Sequence, residues 1–235
     1  MTSRRLADIA EHIGRPHEAT KPKSMYELYE RYFAELADQP VTLLELGVYT
    51  GESVKVFASF FKNGRIIGVD VEDRGADFTG YPNAAFALGD QRSAEQLDHI
   101  CATYAPGGLD IVIDDASHFG AWSWQSYGIL LPHLKPGGLY VVEDWGTGYF
   151  GDWLDGGLYQ GFPLDLGNSP TPQRLPSHDF GMVGLVKRFV DEVNWHRIRS
   201  SLAAPETWPR KLEWMHVHPE FVVLRKWAGW GRGSV

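Results

Sequence analysis

Short apolar runs recur along this chain at 41–46, 66–72, Ala84–Leu88, 109–113 and 138–142, each bounded by polar or turn residues. Runs of that length, rich in Val, Ile and Leu, have the pattern of strands buried on both faces. Between them the apolar positions change to helical spacing, which predicts helices over 25–37, 52–62, 93–104 and 121–134. Ser93 with Gln96 three positions on has the form of a capping box at the start of the third of these. Upstream, the pattern predicts a short helix at Leu6–Ile13 and then a loose arm broken by Pro16 and Pro22. Downstream, Leu185, Val186, Phe189, Val190 and Val193 share one face of a helix over 183–195, and 211–217 with Phe221–Lys226 form an antiparallel hairpin around His218-Pro219. Strands alternating with helices predict a doubly wound, mostly parallel α/β sheet, seven strands in all once the hairpin is added.

The stretch from Trp145 to Met182 breaks this rhythm, dissolving into Gly, Pro, Asp and aromatic residues. A stretch that long without periodicity reads as a functional loop or lid. The chain thus divides, within one domain over 1–235, into a helical arm (1–38), a core (40–145), a substrate loop (146–182) and a closing helix and hairpin (183–228).

Composition narrows the function. With 22 basic and 30 acidic residues the net charge is −8, and no basic stripe is present to meet a nucleic acid. The single cysteine, Cys101, excludes an intrachain disulfide and suits a reducing cytoplasm. No run reaches the length of a membrane span, so the expected partner is a small molecule or an oligosaccharide, with self-association left open.

The polar residues that carry chemistry collect where strands end, which is where open parallel sheets bind ligands. The run 109–113 leads into Asp114-Asp115-Ala116-Ser117-His118, and 138–142 leads into Glu143-Asp144-Trp145. Acids delivered to one sheet edge by two neighbouring strands predict a site for a hard cation such as Mg²⁺, which takes a few carboxylates and keeps positions open. Asp114 and Asp115, as neighbours on a strand, point to opposite sides. Each also has a plainer reading, since Asp115 or Ser117 can cap the next helix. The first run ends in Glu45-x-Gly47-x-x-x-Gly51-x-Ser53. This is no P-loop, and Tyr49 stands where the dinucleotide fingerprint needs its middle glycine. Asp70, closing the second run, has the position from which a carboxylate accepts ribose hydroxyls, and Gly89-Asp90-Gln91 after the third faces the adenine side.

Glu45-Leu46-Gly47-Val48-Tyr49-Thr50-Gly51, Gly68-Val69-Asp70, Gly89-Asp90 and Leu134-Lys135-Pro136-Gly137-Gly138 resemble, in order and spacing, the motifs of class I S-adenosylmethionine methyltransferases. The resemblance implies a Rossmann-like sheet and S-adenosylmethionine as cofactor. It assigns the cofactor to the loop residues Glu45, Gly47, Tyr49, Gly51 and Ser53, and to Asp70, Asp90, Gln91 and Asp114 at the later strand ends. Within that superfamily, Asp114-Asp115-Ala116-Ser117-His118 with Glu143-Asp144 resembles the metal-dependent sugar O-methyltransferases, and more distantly catechol O-methyltransferase. The catechol enzyme has a metal-binding aspartate and, three residues on, a lysine base; Asp115 and His118 keep that spacing. The resemblance therefore implies Mg²⁺ on Asp115, Glu143 and Asp144, His118 as general base, and a sugar hydroxyl of a glycosylated metabolite or polysaccharide as acceptor. A phenol or catechol acceptor and a non-catalytic cofactor-binding scaffold are the alternatives. Trp145, Tyr149, Phe150, Trp153, Tyr159 and Phe162 have the position to wall the acceptor, and His178 lies in the same long loop.

Overall fold

The strands that read as unbroken apolar runs lie at the centre of one sheet. The computed structural model describes residues 5–13, 21–158, 181–195 and 211–229. Its strands are β1 (Thr42–Leu46), β2 (Arg65–Asp70), β3 (Ala84–Leu88), β4 (Leu109–Asp114), β5 (Leu134–Glu143), β6 (Leu212–Val217) and β7 (Phe221–Lys226). They form one seven-stranded sheet in the order β3-β2-β1-β4-β5-β7-β6. The first five are parallel, and β7 pairs antiparallel with both β5 and β6, as the hairpin pattern requires.

Because strand side chains alternate, each strand supplies two cores. Leu44, Leu46, Val112, Tyr140 and Val142 face α4 (Ala94–Tyr104), α5 (Gly120–Leu130) and α7 (Gly181–Val193). Leu43, Ile111, Ile113 and Val141 face α1 (Leu6–Ile13), α2 (Lys23–Phe33) and α3 (Glu52–Phe60). The short helix expected at Leu6–Ile13 is present and packed: Leu6 and Ala7 are buried in the second core, and the Leu6 amide donates to Glu30. Of the loose arm expected after it, residues 14–20 lie outside the described residues.

Element ends differ from the sequence pattern where pairing intervenes. The helix expected over 121–134 stops at Leu130, because Leu134 is already paired with Leu109 in the sheet. β5 therefore starts at Leu134, and the register shift between Leu109 and Ile111 absorbs the turn residues before Gly138. Of the expected capping box, the first half forms: Ser93 Oγ accepts from the Gln96 amide. Gln96 does not reach back to Ser93; its Oε1 accepts from the Asp90 amide at 2.7 Å and steadies the end of β3. The aperiodic stretch begins with a 3-10 turn, Trp145–Tyr149, and a single helical turn, α6 (Leu154–Leu158). Tyr159, Phe162 and His178 lie outside the described residues.

Candidate active site

A cavity of about 970 Å³ lies over the carboxyl ends of the parallel strands, where the strand order reverses between β1 and β4. Gly47, Tyr49, Ser53, Asp70, Asp90 and Gln91 line one half of it. Gly47 has φ +87°, and a Cβ there would sit 2.0 Å from the Asp115 carbonyl oxygen, so the loop after β1 and the end of β4 meet only through glycine. Asp70 pins that loop: its Oδ2 accepts from the amides of Val48 (2.9 Å) and Tyr49 (3.1 Å), and its Oδ1 from Glu72 (3.1 Å). A carboxylate offers about four acceptor positions, so room remains for a ligand hydroxyl. Asp90 is held by Arg92, at 2.6 Å from Nη2, and that hydrogen bond keeps its carboxyl below the usual range. The Arg92 guanidinium in turn lies 4.3 Å over the Trp122 ring, which lines the same end of the cavity. Trp122 carries no motif, and sequence reasoning missed it.

Glu45, Gly51 and Asp114 do not line the cavity. Glu45 is fully buried below the loop and accepts from Ser53 Oγ at 2.8 Å. Gly51, at φ +90°, is the residue before α3. Asp114 turns to the opposite face of β4, where it accepts from Ser126 Oγ (2.6 Å) and Gln91 Nε2 (3.4 Å). Burial pushes its carboxyl up, and it supports Gln91, which does line the cavity, from beneath.

The other half of the cavity is lined by Asp115, His118, Asp144 and Trp153. His118 Nε2 stands 3.8 Å from Asp115 Oδ1 and 3.7 Å from Asp144 Oδ2. The Trp153 ring meets His118 edge-on, with centroids 5.2 Å apart. Among the described residues the non-glycine positions with positive φ are Tyr49, His118 and Asp144, and all three line this one cavity. Such conformations cost about 1–3 kcal/mol each and persist where surrounding contacts over-determine them. For Asp144 those contacts come from the hairpin: its amide donates to the Glu220 carbonyl at 2.7 Å, and Trp145 Nε1 donates to that of His218 at 2.7 Å.

Glu143 does not stand with Asp144. Asp144 lies past the end of β5 in the left-handed region, whereas Glu143, the last residue of the strand, is buried on the α2 face. Its Oε1 accepts from Tyr29 Oη at 2.5 Å and its Oε2 from Lys21 Nζ at 2.8 Å. Lys21, which the sequence pattern left in the arm, has its ammonium buried among Glu143, Asp115 and, at 3.3 Å, Glu45. Burial pulls the lysine's pKa down, but the three acids outweigh it and hold the ammonium charged. One ammonium cannot neutralise three carboxylates. Burial thus pushes Glu45 up to about 7 and Glu143 well above the usual range despite Lys21.

Ligand atoms of Asp115, His118 and Asp144 lie within 4.8 Å of one another and face the cavity, a donor set that suits a divalent cation. Glu45, Asp115 and Glu143 are equally close to one another, but Lys21 sits among them. The expected ligand Glu143 is therefore engaged elsewhere.

Residues 44–145 match a methyltransferase domain family. The chain is 32% identical, over 84% of its length, to mycinamicin VI 2''-O-methyltransferase of Micromonospora griseorubida. It is 31% identical, over 88% of its length, to 8-demethyl-8-alpha-L-rhamnosyl tetracenomycin-C 2'-O-methyltransferase of Streptomyces olivaceus. It spans about half of these relatives, 47% and 51% of their lengths respectively. Among solved structures, the MycE methyltransferase of the mycinamycin pathway, in complex with Mg, SAH and mycinamycin VI, superimposes with a TM-score of 0.70 at 29% identity, covering 96% of this chain and 55% of that one. From its glycine loop, its sheet order and these matches, the chain belongs to the class I S-adenosylmethionine-dependent methyltransferases.

Proposed function

We propose that the protein is a Mg²⁺-assisted O-methyltransferase that moves the methyl group of S-adenosylmethionine to a sugar hydroxyl. The observation that carries this reading is the continuity of the cavity. Asp70 and Asp90 line one half and Asp115, His118 and Asp144 the other, within a single space. The relatives' names support the acceptor class: one is a mycinamicin VI 2''-O-methyltransferase, and the other is a 2'-O-methyltransferase of a rhamnosyl tetracenomycin.

Asp70, beyond its backbone partners, would accept from ribose hydroxyls, and the end of the cavity lined by Asp90, Arg92 and Trp122 would take the base. Asp115 and Asp144 hold the cation, whose contribution is to acidify an aliphatic hydroxyl and fix its position. Methyl transfer requires the acceptor oxygen in line with the breaking C–S bond. Binding in a walled cavity supplies that alignment. His118 takes the hydroxyl proton on Nε2, and the two carboxylates beside it stabilise the resulting imidazolium. Trp153 shields the imidazole from bulk water on one edge.

The test is methyl transfer from S-adenosylmethionine to a panel of rhamnosides, mannosides and macrolide glycosides, with and without chelator. Transfer to a glycoside that stops with chelator and returns with Mg²⁺ is the expected result. His118→Ala should slow it by about 10²- to 10⁴-fold while S-adenosylhomocysteine still binds. Full activity after exhaustive chelation would remove the cation from the reading, and a response only to catechols would move the acceptor class.

A further inference from the structure

Three adjacent strands each end with an acid on the same face of the sheet. Glu45 is the last but one residue of β1, on the face that carries Leu43; Asp115 lies one residue past β4, two after Ile113; and Glu143 ends β5, two after Val141. β4 and β5 are in register at Asp114 and Val142, so Asp115 and Glu143 come side by side. The result is an inner trio of carboxylates under the cavity floor. It shares Asp115 with the outer trio of Asp115, His118 and Asp144.

Two donor sets that share a ligand compete for one cation. On the number of acids alone the inner trio would win, with three carboxyl groups, two of them buried, against the two of the outer set. The inner set also holds a buried acceptor, Glu45 Oε1, that has no hydrogen-bond donor and lies 3.3 Å from Lys21 Nζ. What occupies this set is the Lys21 ammonium, and the chain fixes it there firmly. Pro22, at φ −62° and ψ 152°, gives an extended residue directly before α2. α2 is locked on the sheet by Tyr29, which donates to Glu143 and stacks on Phe33 and Phe221. Lys21 takes Oδ2 of Asp115, whose other oxygen, Oδ1, is the one facing His118.

We propose that Lys21 is a positioning residue: its ammonium fills the inner trio as a tethered cation and so confines the divalent cation to Asp115 Oδ1 and Asp144, beside His118. The inference rests on the cation assigned to Asp115 and Asp144 above. Its consequence is geometric. A divalent ion held between Glu45 and Glu143 would lie beneath the strand ends, whereas one on Asp115 Oδ1 and Asp144 lies in the cavity where an acceptor hydroxyl and the imidazole can both meet it. An ammonium suits the task because it is a compact point charge with three donors and takes no further ligands.

Equilibrium titration with Mn²⁺, followed by the electron paramagnetic resonance of the free ion, tests this without turnover. Wild-type protein should bind Mn²⁺, and Asp144→Asn should weaken that binding by about tenfold or more. Adding Lys21→Met to Asp144→Asn should restore tight binding, because the vacated inner trio then takes the ion. Further addition of Glu143→Gln should abolish the restored binding. A double variant that folds, by near-ultraviolet circular dichroism, and binds no better than Asp144→Asn overturns the proposal. A purely structural Lys21 would lower thermal stability and restore nothing. Should the Lys21 variant fail to fold, wild-type protein answers the same question by lysine acetylation read by mass spectrometry. Lys21 stays protected with and without Mn²⁺ if the ammonium keeps the inner trio, and becomes reactive on Mn²⁺ loading if the metal displaces it, which overturns the proposal. Wild-type protein that binds no Mn²⁺ is a separate result: it removes the cation from the proposed function, and the confinement role falls with it.

Discussion

Asp70 illustrates how one carboxylate serves both the fold and the site. It holds the amide of Tyr49, whose φ of 50° lies in the left-handed region, and so keeps the glycine loop in a conformation that is unfavourable on its own. Removing it should therefore be felt without any ligand. Asp70→Ala is expected to lower stability by about 1.5–3 kcal/mol, the range for hydrogen bonds to a charged group, and also to weaken S-adenosylhomocysteine binding. Urea unfolding of the free variant together with calorimetric titration separates the two effects. Wild-type stability with lost affinity would mean that the carboxylate serves the ligand alone. The position of Asp70 was legible because a strand end followed by an acid is a local pattern. Its backbone bonds were not, since they depend on how a loop twenty-odd residues earlier folds back. Glu143 was legible only in part. Strand register sets it beside Asp115, whereas Asp144 lies past the end of β5, and its positive φ, held by the hairpin, turns it towards His118. Lys21 had no such signal, because a lysine between two prolines in a polar arm looks like a solvated residue.

At the level of elements, the parallel strands were legible because burial on both faces leaves unbroken apolar runs, and the hairpin because two such runs flank a turn. Boundaries were less so. Where the α5 helix begins and ends is decided by distant partners, the sheet pairing of Leu134 at one side and Asp155 at the other. The residue before α5, Phe119, supplies no side-chain cap; instead Asp155 Oδ2 accepts from the Gly120 amide at 2.8 Å and from the Met182 amide of α7 at 2.7 Å. One buried carboxylate thus ties together the starts of two helices, at a point where a Cβ on Gly120 would lie 2.2 Å from the Gly181 backbone. Neither Ser117 nor Asp115 performs this capping, although both were candidates for it: Ser117 Oγ accepts only from Phe119. Asp155→Ala leaves two buried amides without acceptors, and should cost about 2–5 kcal/mol. The shift in the midpoint of urea unfolding measures it. An unchanged midpoint would mean that water reaches both amides and that the two helix starts are not joined through this side chain.

On the scale of the whole molecule, the cavity draws on residues separated by most of the described chain, from Lys21 to Trp153, and Asp144 is itself held by the hairpin at Glu220. The N-terminal arm, the central strands and the terminal hairpin therefore meet around one site. The two cores lie on opposite faces of the sheet, and the strand ends that bear the site belong to both. Ligands bound there contact groups that come together only in the folded chain, so their binding must appear as global stability. S-adenosylhomocysteine at about a hundred times its dissociation constant should add about 2.7 kcal/mol, which for a chain of this size raises the melting temperature by about 5–10 °C. Mg²⁺ should add a further rise that is independent of the first only if the two sites do not interact. Asp115→Asn discriminates between the two ligands, because Asp115 belongs to the cation set and lies across the cavity from Asp70 and Asp90. In that variant the rise with S-adenosylhomocysteine should persist and the rise with Mg²⁺ should vanish, as read by scanning calorimetry. Loss of both responses in a variant that still unfolds cooperatively would mean that the halves of the cavity form one indivisible site, with cofactor binding dependent on the acidic end as much as on Asp70.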